Sequence, residues 1–397
     1  MTRPLLALTL LAAPALASGF RLETHHARAA GMGIAVTALT DDASAIVYNP
    51  AGLAGRKGLD VQAGLSLVVP SIVFTSDATG ASTQTLTRVS TPLNVNASFG
   101  ITEDLAVGLG VFNPFGAGAT WPSTWEGRGR ALASNVQTFA FNPTVAYRIH
   151  PRFRVGAGVQ VLRGTVGIER GVSFVDSEGK VSLGGDAWGL GWNAGVQGTL
   201  VDDRLSYGFT WRSSVPLTFS GRAHFDGVPP EFQGRLTDQP ITASVTMPDV
   251  ATVGLGFIAT PRLKVGLDVN FVTWSSFRQL FIDFASADLD NPLPKRWRDT
   301  LSVHLGAEYD VTSRLQARLG FVYDQTATPT DTLTPDLPDA QRVRFCAGAG
   351  YRFAFGLSLD AGYQFVLLLP QASTAPGFSG TYSGGAQVVG LNAGYRW

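Results

Sequence analysis

Apolar and polar residues alternate with a period of two through most of the chain beyond residue 58. Around Trp188, Leu190 and Trp192, for example, the large apolar residues are separated by Gly189 and Gly191. Alternation of this kind is typical of β-strands with one apolar face. The segments are about 11 to 17 residues long, whereas most globular strands have ~5–6 residues and a tilted membrane-crossing strand needs ~9–11. The pattern therefore favours strands that cross a membrane over the alternative, a soluble protein with several sheets.

The connections between these segments alternate in length: short turns such as 149–152 are followed by long loops such as 171–187 and 221–242. This arrangement is typical of outer-membrane barrels with an even number of strands. The barrel has to close, because an open sheet edge leaves backbone groups unpaired in lipid. We therefore predict an all-β fold, a transmembrane antiparallel β-barrel formed by residues 59–397. Its predicted strands, about fourteen in number, are 59–74, 85–100, 104–121, 135–149, 153–170, 187–200, 204–220, 242–258, 262–280, 298–310, 313–324, 341–354, 356–370 and 384–397.

The last alternating segment runs to Trp397. A strand that ends in an aromatic carboxy-terminal residue resembles the signal by which the bacterial barrel-assembly machinery recognises outer-membrane proteins. We therefore expect a multi-pass protein of the bacterial outer membrane. Its expected partners are that machinery, outer-membrane lipid and lipopolysaccharide.

The composition excludes several classes of protein. Of the 397 residues, 30 are Lys or Arg, 30 are Asp or Glu, and 45% are hydrophobic. Zero net charge argues against a general nucleic-acid-binding protein, which needs a basic face, and the apolar fraction is too high for a disordered chain. Cys346 is the only cysteine, so no intramolecular disulfide is expected, and no Cys/His cluster has zinc-ligand spacing. We expect neither a metal nor a cofactor.

The first 17 residues have the pattern of a secretory signal peptide. Arg3 provides a positive charge, residues 5–11 are apolar, and Ala15 and Ala17 have the small-x-small spacing that precedes a cleavage point. The apolar run is too short for a membrane-spanning helix, which needs about 20 residues. We therefore expect an exported protein.

Residues 18–58 do not alternate. Asp41 or Asp42 is expected to cap a short helix that runs to Val47 and is broken at Pro50. A segment of this size, rich in small residues and tethered to the first strand, fits inside the lumen of such a barrel. We predict that it forms a small helical hatch, or plug, with a disordered periplasmic leader as the alternative.

The inward face of several predicted strands is charged. Lys264, Asp268, His304, Glu308 and Arg318 all have lumen-facing parity. Opposite charges on facing strands are expected to cross-link a narrow lumen rather than line a wide aqueous pore.

The fifth predicted strand places apolar residues on its inward face instead. If Phe153 and alternate residues after it face lipid, then Leu162, Val166, Ile168 and Arg170 face the lumen. An apolar wall that ends in a guanidinium suits a ligand with an apolar tail and an anionic head, because Arg pairs bidentately with carboxylate. The alternative is a shift of parity that leaves Arg170 exposed above the membrane.

Four prolines fall within the first four predicted strands, where each removes a backbone hydrogen-bond donor. They are Pro70, Pro92, Pro114 and Pro143, and the run 113–118 around the third of them lacks a side-chain pattern. One such interruption is an ordinary bulge. Four on adjacent strands indicate a locally unpaired stretch of wall, and hence a side exit toward lipid. The alternative is that the prolines lie just above the membrane.

Short motifs that occur in a fixed order along the chain resemble the FadL/TodX family of outer-membrane transporters for long-chain fatty acids and aromatic hydrocarbons. The most specific is Trp-Gly-Leu-Gly-Trp-Asn-Ala-Gly at 188–195, and the family's Asn-Pro-Ala element is found at 49–51. The other matching segments are 18–22, 29–33, 41–43, 168–170, 211–213, 247–249, 273–275, 297–299 and 338–339 with Arg342.

The resemblance implies a 14-stranded barrel closed by an N-terminal hatch, with a kink in the third strand that opens sideways. It further implies passive transport, in which a hydrophobic ligand binds in a lumen pocket and movement of the N-terminal segment releases it laterally into the membrane. The ligand would be a long-chain fatty acid or an aromatic or aliphatic hydrocarbon.

Family roles carry over to single residues of this chain. Arg170 matches the carboxylate-binding arginine, Gly116 the kink glycine and Phe20 the N-terminal aromatic residue beside the pocket. Lys295 or Arg296 is the nearest match to the family's pocket lysine. The candidate site therefore comprises the ligand-binding residues Phe20, Phe112, Leu162, Val166, Ile168, Arg170, Lys295 and Arg296, the opening residues Asn113, Pro114 and Gly116, and the hatch residues Asn49, Pro50 and Ala51.

Two other functions are weighed against transport of hydrophobic compounds. A general diffusion porin for small polar solutes needs a wide polar pore and no plug. An outer-membrane lipid hydrolase needs a catalytic group, and His304 with Glu308 is the only candidate pair on an inward strand face. No serine motif accompanies that pair, so a satisfied hydrogen-bond network is the preferred interpretation and we expect no enzyme.

Overall fold

The computed structural model describes residues 19–200, 204–290 and 292–397, which form a closed antiparallel barrel of fourteen strands. The predicted signal peptide, residues 1–17, lies outside the described residues. In chain order the strands are β1 (Gly58–Ser76), β2 (Leu93–Gly100), β3 (Leu105–Phe112 and Gly116–Thr120), β4 (Ala133–His150), β5 (Phe153–Ser173), β6 (Glu178–Leu200), β7 (Leu205–Arg212 and Val215–Asp226), β8 (Gln239–Met247 and Val250–Thr260), β9 (Leu263–Val272), β10 (Thr300–Asp310), β11 (Leu315–Asp324), β12 (Arg342–Arg352), β13 (Leu357–Ser373) and β14 (Gly380–Arg396).

The first and last strands close the barrel, as the alternation predicts. Leu65 of β1 pairs with Leu391 of β14 along one edge and with Leu93 of β2 along the other. Large apolar side chains project outward from most strands, and Leu190 and Leu319 are 66% and 67% exposed in the isolated chain. These side chains form the lipid-facing surface that the apolar half of the alternation predicts. Among the described residues, no helix is long and apolar enough to cross a bilayer.

The structure corrects several predicted strand ends. β5 and β6 continue through the predicted long loop 171–187 and meet in a tight turn at residues 174–177, because the alternation persists there at lower hydrophobicity. β2 begins eight residues later than predicted, although the short strand Ser82–Gln84 pairs with β1. β9 ends at Val272, and the chain then makes an excursion that returns to pair with β8 at Ile282–Phe284. That excursion contains the 3₁₀ turns Trp274–Ser276 and Ala287–Leu289 and the short strands Gln279–Leu280, Ile282–Phe284 and Leu293–Pro294, and the loop between β7 and β8 contains the 3₁₀ turn Pro230–Phe232.

The two segments of β7 face in opposite directions, contrary to the continuous face expected from the sequence. Phe209 is 40% exposed on the lipid side, whereas Leu217 and Phe219 are buried inside the barrel. The break at Ser213 and Ser214 adds one residue to β7 relative to β6. Because side chains alternate with a period of two, one extra residue turns every later side chain to the other face.

The same change of parity occurs in β8. Val253 is exposed, whereas Ile241 and Met247, on the other side of the break at Pro248 and Asp249, are buried. Asp249 joins the two breaks by accepting a hydrogen bond from the backbone N–H of Ser214 (3.0 Å). The breaks in β7 and β8 therefore turn the apolar faces of two neighbouring strands into the lumen at one level.

The N-terminal segment lies inside the barrel as a hatch. It contains the helices α1 (Ala27–Gly31) and α2 (Ala45–Tyr48) and a 3₁₀ turn at Pro50–Leu53, and most of its side chains are buried. α2 is preceded by Ser44 rather than by Asp41 or Asp42, and the Asp42 carboxylate instead accepts a hydrogen bond from the Ser44 N–H (2.9 Å). Asp42 therefore caps the turn that leads into α2, although Ser44 is the residue directly before the helix and makes no side-chain capping bond.

Inward-facing glycines allow the hatch to lie directly against the wall. Gly266, Gly306 and Gly320 are register neighbours on β9, β10 and β11. A Cβ at these positions would lie 2.1–2.2 Å from the hatch backbone at Ala35 O, Met32 O and Gly33 N, respectively. Only glycine permits two backbones to approach this closely.

Candidate ligand-binding cavity and wall opening

An apolar cavity of 70 Å³ lies in the lumen beside β5–β8. Ser134 and Asp336 are the only polar side chains among the described residues that line it. Strands β4, β5 and β6 supply part of the wall, the segments of β7 and β8 with changed parity supply another part, and the N-terminal segment and two loops supply the remainder. The lining residues are Phe20, Ser134, Val136, Val166, Gly167, Ile168, Leu183, Gly184, Gly185, Phe219, Gly221, Ile241, Ala243, Val245, Met247, Phe277, Leu280, Ile282, Asp336 and Leu337.

An aromatic cluster holds Phe20 at one end of this cavity. Its ring centroid lies 4.6 Å from that of Trp274, 5.6 Å from that of Trp297 and 6.1 Å from that of Phe115. Phe277 completes the cluster at 6.3 Å. Aromatic contacts of this kind contribute ~0.5–1.5 kcal/mol per pair beyond burial, so the N-terminus is anchored by its first described side chain.

Lys295 and Asp336 form a buried ion pair at the edge of the cavity. The Lys295 Nζ lies 2.7 Å from Asp336 Oδ2 and 2.9 Å from Thr334 Oγ1. Burial opposes ionisation of the Asp336 carboxyl, but the Lys295 ammonium and the hydrogen bonds from Lys295 and Thr334 outweigh burial and lower its pKa to about 2. The carboxylate therefore stays charged at physiological pH.

Arg170 lies two residues after Ile168 on the unbroken strand β5, and therefore on the same face, but it lines neither the apolar cavity nor the larger cavity that extends toward β3. Its guanidinium also lowers the pKa of Asp336 through Coulomb attraction. Its Nε is buried and makes no hydrogen bond to any described residue. Arg296 points elsewhere, because its exposed guanidinium pairs with Asp331 at 2.6 Å.

The barrel wall is interrupted beside β3. Three residues, Asn113, Pro114 and Phe115, lie opposite only two residues of β4, because Phe112 pairs with Ala140 and Gly116 with Gln137. Pairing between β2 and β3 also stops at the first of these positions. A larger cavity of 1040 Å³ extends from the lumen to this interruption.

Asn113 provides side-chain hydrogen bonds where backbone pairing is lost. Its Oδ1 accepts from the Leu93 N–H (2.9 Å) and its Nδ2 donates to the Thr138 carbonyl (2.6 Å). The break is therefore a defined structure rather than a frayed strand, because both of its edges are tied to one buried side chain.

The N-terminal segment pairs with this break as a short added strand. The Leu22 N–H donates to the Pro114 carbonyl (2.9 Å), and the Gly116 N–H donates to the Phe20 carbonyl (3.0 Å). Arg21 and Phe115 form an antiparallel bridge between these two bonds. Consequently, the segment that carries the cavity residue Phe20 is bonded directly to the opening in the wall.

Residues 8–397 match the sequence profile of the outer membrane protein transport protein family (OMPP1/FadL/TodX). The chain belongs to this family. Its location is therefore the outer membrane.

Relatives of the family match almost the full length of the chain. A 47 kDa outer membrane protein of Pasteurella multocida is 27% identical over 98% of this chain and 97% of its own. The long-chain fatty acid transport protein of Escherichia coli K12 is 24% identical over 91% and 90%, respectively.

Solved structures show the same fold. The Pseudomonas aeruginosa FadL homologue superposes with a TM-score of 0.88 at 22% identity, covering 95% of this chain and 99% of that one. The Pseudomonas putida toluene transporter TodX has a TM-score of 0.80 at 18% identity over the same shares.

The Asn-Pro-Ala element of the FadL/TodX family fastens the hatch to the wall. The buried Asn49 Nδ2 donates to the carbonyls of Thr37 (2.8 Å) and Val196 (3.0 Å), and its Oδ1 accepts from the Ala51 N–H (3.2 Å). Pro50 lies against Gly156, where a Cβ would stand 2.4 Å from the proline carbonyl carbon.

The structure brings together only some of the residues proposed for the family's pocket. Phe20, Val166 and Ile168 line the apolar cavity, whereas Leu162 is buried in the adjoining core without lining it. Phe112 lies outside the cavity, with its ring centroid 5.2 Å from the His25 ring.

Of the four strand prolines, two mark breaks in the wall. Pro92 immediately precedes β2, and Pro114 lies in the interruption of β3. Pro70 and Pro143 lie within the continuous strands β1 and β4, paired on one side with Ala386 and Leu109. On its other side Pro143 lies where the ladder with β5 lacks pairs, so it interrupts backbone pairing there without ending the strand. The sequence does not distinguish a proline at a break from a proline within a continuous strand. Proline is tolerated in a strand wherever an N–H at that position would not have donated to the neighbouring strand.

Charged lumen residues cross-link the hatch and the wall, as their alternation suggests. Glu308 lies 2.8 Å from the Arg318 guanidinium and 2.9 Å from that of Arg28 in the hatch. His304 bonds to Asn270 (2.9 Å) and to the Gly33 carbonyl (2.8 Å) instead of to Glu308.

Glu23, His304 and Asp324 are close enough together to hold a metal ion, since their ligand atoms lie within 4.8 Å of one another. The Arg344 guanidinium, however, already pairs with both carboxylates, with Asp324 Oδ2 at 2.6 Å. The cluster is therefore charge-compensated by arginine, and its geometry serves to attach the N-terminal segment to β12.

Several residues that line the apolar cavity were not predicted from the sequence. Phe219, Ile241 and Met247 have lipid-facing parity when each strand is read as continuous, and Asp336 lies in a loop without periodicity. The signal that could have found them is the coincidence of the motifs 211–213, 247–249 and 273–275, which meet at the breaks in β7 and β8.

Proposed function

We propose that this protein transports hydrophobic compounds passively across the outer membrane, binding them in the apolar cavity and releasing them sideways through the interruption beside β3. The observation that carries the proposal is that cavity and opening adjoin. Phe20, Ile168, Leu183 and Leu337 line both the apolar cavity and the larger cavity that reaches the wall. A ligand can thus pass from one to the other along apolar side chains.

The energetics favour lateral release over passage into the periplasm. Each methylene exposed to water costs about 0.8 kcal/mol, so a long alkyl chain is held back by many kcal/mol if it must enter the periplasm. Release into lipid avoids this cost. No energy source is required, because the ligand moves between two apolar phases down its gradient.

The N-terminal segment is the gate of this pathway. Phe20 closes one end of the cavity, and its carbonyl receives a hydrogen bond from Gly116 at the opening. Displacing the segment therefore widens the cavity and frees the edge of β3 in a single movement. The names of relatives as a long-chain fatty acid transport protein and a toluene transporter support a fatty acid or a hydrocarbon as ligand.

Deleting Pro114 tests lateral release. The deletion leaves two residues of β3 opposite two of β4, so the strand can run straight across the break without shifting the pairs at Phe112 or Gly116. In cells that lack their own member of the family, we expect uptake of radiolabelled fatty acid and toluene to fall to the level without the protein. Pro143→Val is the matched control, because it replaces a proline in an unbroken strand.

Undiminished uptake by the Pro114 deletion would refute release through this opening. Ion conductance of the purified variants should be measured in parallel. A large, persistent conductance of the unaltered protein would favour the general porin, which the buried hatch opposes.

The carboxy-terminal strand supports recognition by the barrel-assembly machinery. β14 ends one residue before Trp397, which is 84% exposed, and its backbone exchanges hydrogen bonds with Leu59. An exposed aromatic ring on a paired strand end is accessible to a receptor. Trp397→Ala is expected to reduce the amount of protein in the outer membrane without changing the unfolding temperature of the protein that does assemble.

A further inference from the structure

We propose that the apolar cavity accepts uncharged ligands in preference to carboxylates, because Asp336 is already the counter-ion of Lys295 at its edge. This inference rests on the proposed function and narrows its substrate class. It assigns Lys295 to Asp336, instead of to the carboxylate of a fatty acid.

Asp336 occupies the position that an anionic head group would need. It lines both the apolar cavity and the larger cavity, and it is 5% exposed. Its carboxylate contacts the Lys295 ammonium at 2.7 Å, and Lys295 is itself 2% exposed. A ligand carboxylate at this edge meets a cation that is already neutralised.

The loop that carries Asp336 is fixed on both sides, so the carboxylate cannot simply move aside. The Asp336 carbonyl accepts a hydrogen bond from the Ser134 hydroxyl, and the neighbouring Pro335 carbonyl accepts one from Trp121 Nε1 (3.0 Å). Thr332 of the same loop donates to the Lys295 carbonyl (2.6 Å). Both partners of the ion pair are therefore held by backbone contacts independent of any ligand.

Apart from Arg88, the cations that line the larger cavity are paired as well, Arg21 with Glu23 and Lys180 with Glu169. Arg342 lies 2.8 Å from Asp339, and Arg344 lies 2.6 Å from Asp324. Arg88 also lines this cavity, but it is exposed on the segment before β2, at the wall opening. Within the part of the chain that the structure describes, the apolar cavity is thus lined by one ionised group, and that group is negative.

An anion is therefore disfavoured on entering. It loses its hydration shell in a space lined by carbon atoms, and because the charges of Lys295 and Asp336 offset each other, no net attraction compensates for that loss. An alcohol or hydrocarbon of equal length has a much smaller desolvation penalty. Discrimination by charge should consequently be much stronger than discrimination by shape.

Dodecanol and dodecanoate are the appropriate probes, because they share one alkyl chain and differ in head-group charge. Binding of each radiolabelled compound is measured at pH 8 to the purified protein in nanodiscs of zwitterionic lipid, with partitioning into empty nanodiscs subtracted. We expect the unaltered protein to bind dodecanol at least about tenfold more tightly than dodecanoate. Equal affinity, or tighter binding of dodecanoate, overturns the inference while leaving the proposed transport function intact.

Asp336→Asn identifies the group responsible. Removing the carboxylate frees Lys295, so the ratio of dodecanoate to dodecanol affinity should rise by about tenfold or more. The double variant Lys295→Met with Asp336→Asn removes both charges and should return the ratio to its original value. An unchanged ratio in Asp336→Asn overturns the inference.

Asp331→Asn is the matched control. Asp331 lies in the same loop and pairs with the exposed Arg296, away from both cavities, so its replacement should leave the ratio unchanged. If the control and Asp336→Asn shift the ratio equally, the effect comes from the loop as a whole and the inference is wrong. If neither probe binds to the unaltered protein, the proposed function itself fails.

Discussion

Gly306→Ala is expected to loosen the hatch from the barrel wall. The added Cβ would lie 2.2 Å from the Met32 carbonyl oxygen, about 1.2 Å short of the 3.4 Å at which ordinary contact begins. The opposing atom belongs to a backbone, so no side-chain rotation relieves the clash. The register neighbours Gly266 and Gly320 are equally close to the hatch, and sliding the hatch along this row creates further clashes.

The size of the effect follows from this overlap. Overpacking costs about 1–3 kcal/mol, and the cost falls only on the state in which the hatch is seated. A penalty of ~2 kcal/mol raises the fraction of barrels with a displaced hatch about thirtyfold. The thermal unfolding temperature should fall as well, because the packed hatch contributes to the stability of the barrel.

Planar-bilayer conductance and thermal unfolding measured by circular dichroism test this prediction. Gly167→Ala is the matched control, because no atom lies within 4 Å of a Cβ placed there. The control should match the unaltered protein in both measurements. If Gly306→Ala also matches it, the contact between hatch and wall is not tight, and the reasoning is refuted.

Three further predictions concern single polar groups. Asn49→Ala removes three hydrogen bonds of the hatch and should lower the free energy of unfolding by about 1–3 kcal/mol, measured by denaturant titration; a change below that range would contradict its anchoring role. Glu308→Gln removes the carboxylate that Arg28 and Arg318 share, while Asp42 (3.7 Å) and Asp360 (2.6 Å) remain as their partners. Unfolding should therefore be easier by about 1.5–3 kcal/mol, and recovery in Glu308→Asp would indicate that charge is the cause. Folding lowers the pKa of Asp336 to about 2. Its carboxylate therefore stabilises the protein above its unfolded pKa near 4, and this stabilisation is lost as the pH falls toward 2. The thermal unfolding temperature should consequently fall between pH 4 and pH 2, and it should fall less in Asp336→Asn.

The strand pattern allowed the fold class to be predicted because each strand meets the same two environments. Leu190 on β6 and Leu319 on β11 face lipid, and the residues next to each of them in its strand face the lumen. A period of two encodes this choice directly in the order of residues. Closure then follows from the absence of water in the bilayer core. A closed barrel can therefore be predicted without knowing which distant residues are in contact.

The candidate site was only partly predictable, because a single extra residue in a strand turns all later side chains of that strand to the opposite face. Ile168 was predicted to face the lumen, since β5 is unbroken. Phe219 has lipid-facing parity if β7 is read as continuous, yet it lies inside, since the break at 213–214 precedes it. Whether a break adds a residue depends on the register with the neighbouring strand, which is a tertiary property.

The sequence by itself determined that this chain forms a membrane-spanning barrel, because the alternation of apolar and polar residues and the length of each segment are local properties. Each strand meets lipid on one face and the lumen on the other, whatever the rest of the chain does. The tertiary structure alone decided where the bore is apolar and which cations are free to meet a ligand. Lys295 and Asp336 are 41 residues apart, and their charges cancel only because two loops fold over the same end of the barrel. Coulomb interactions depend on distance in space, and that distance is set by the fold.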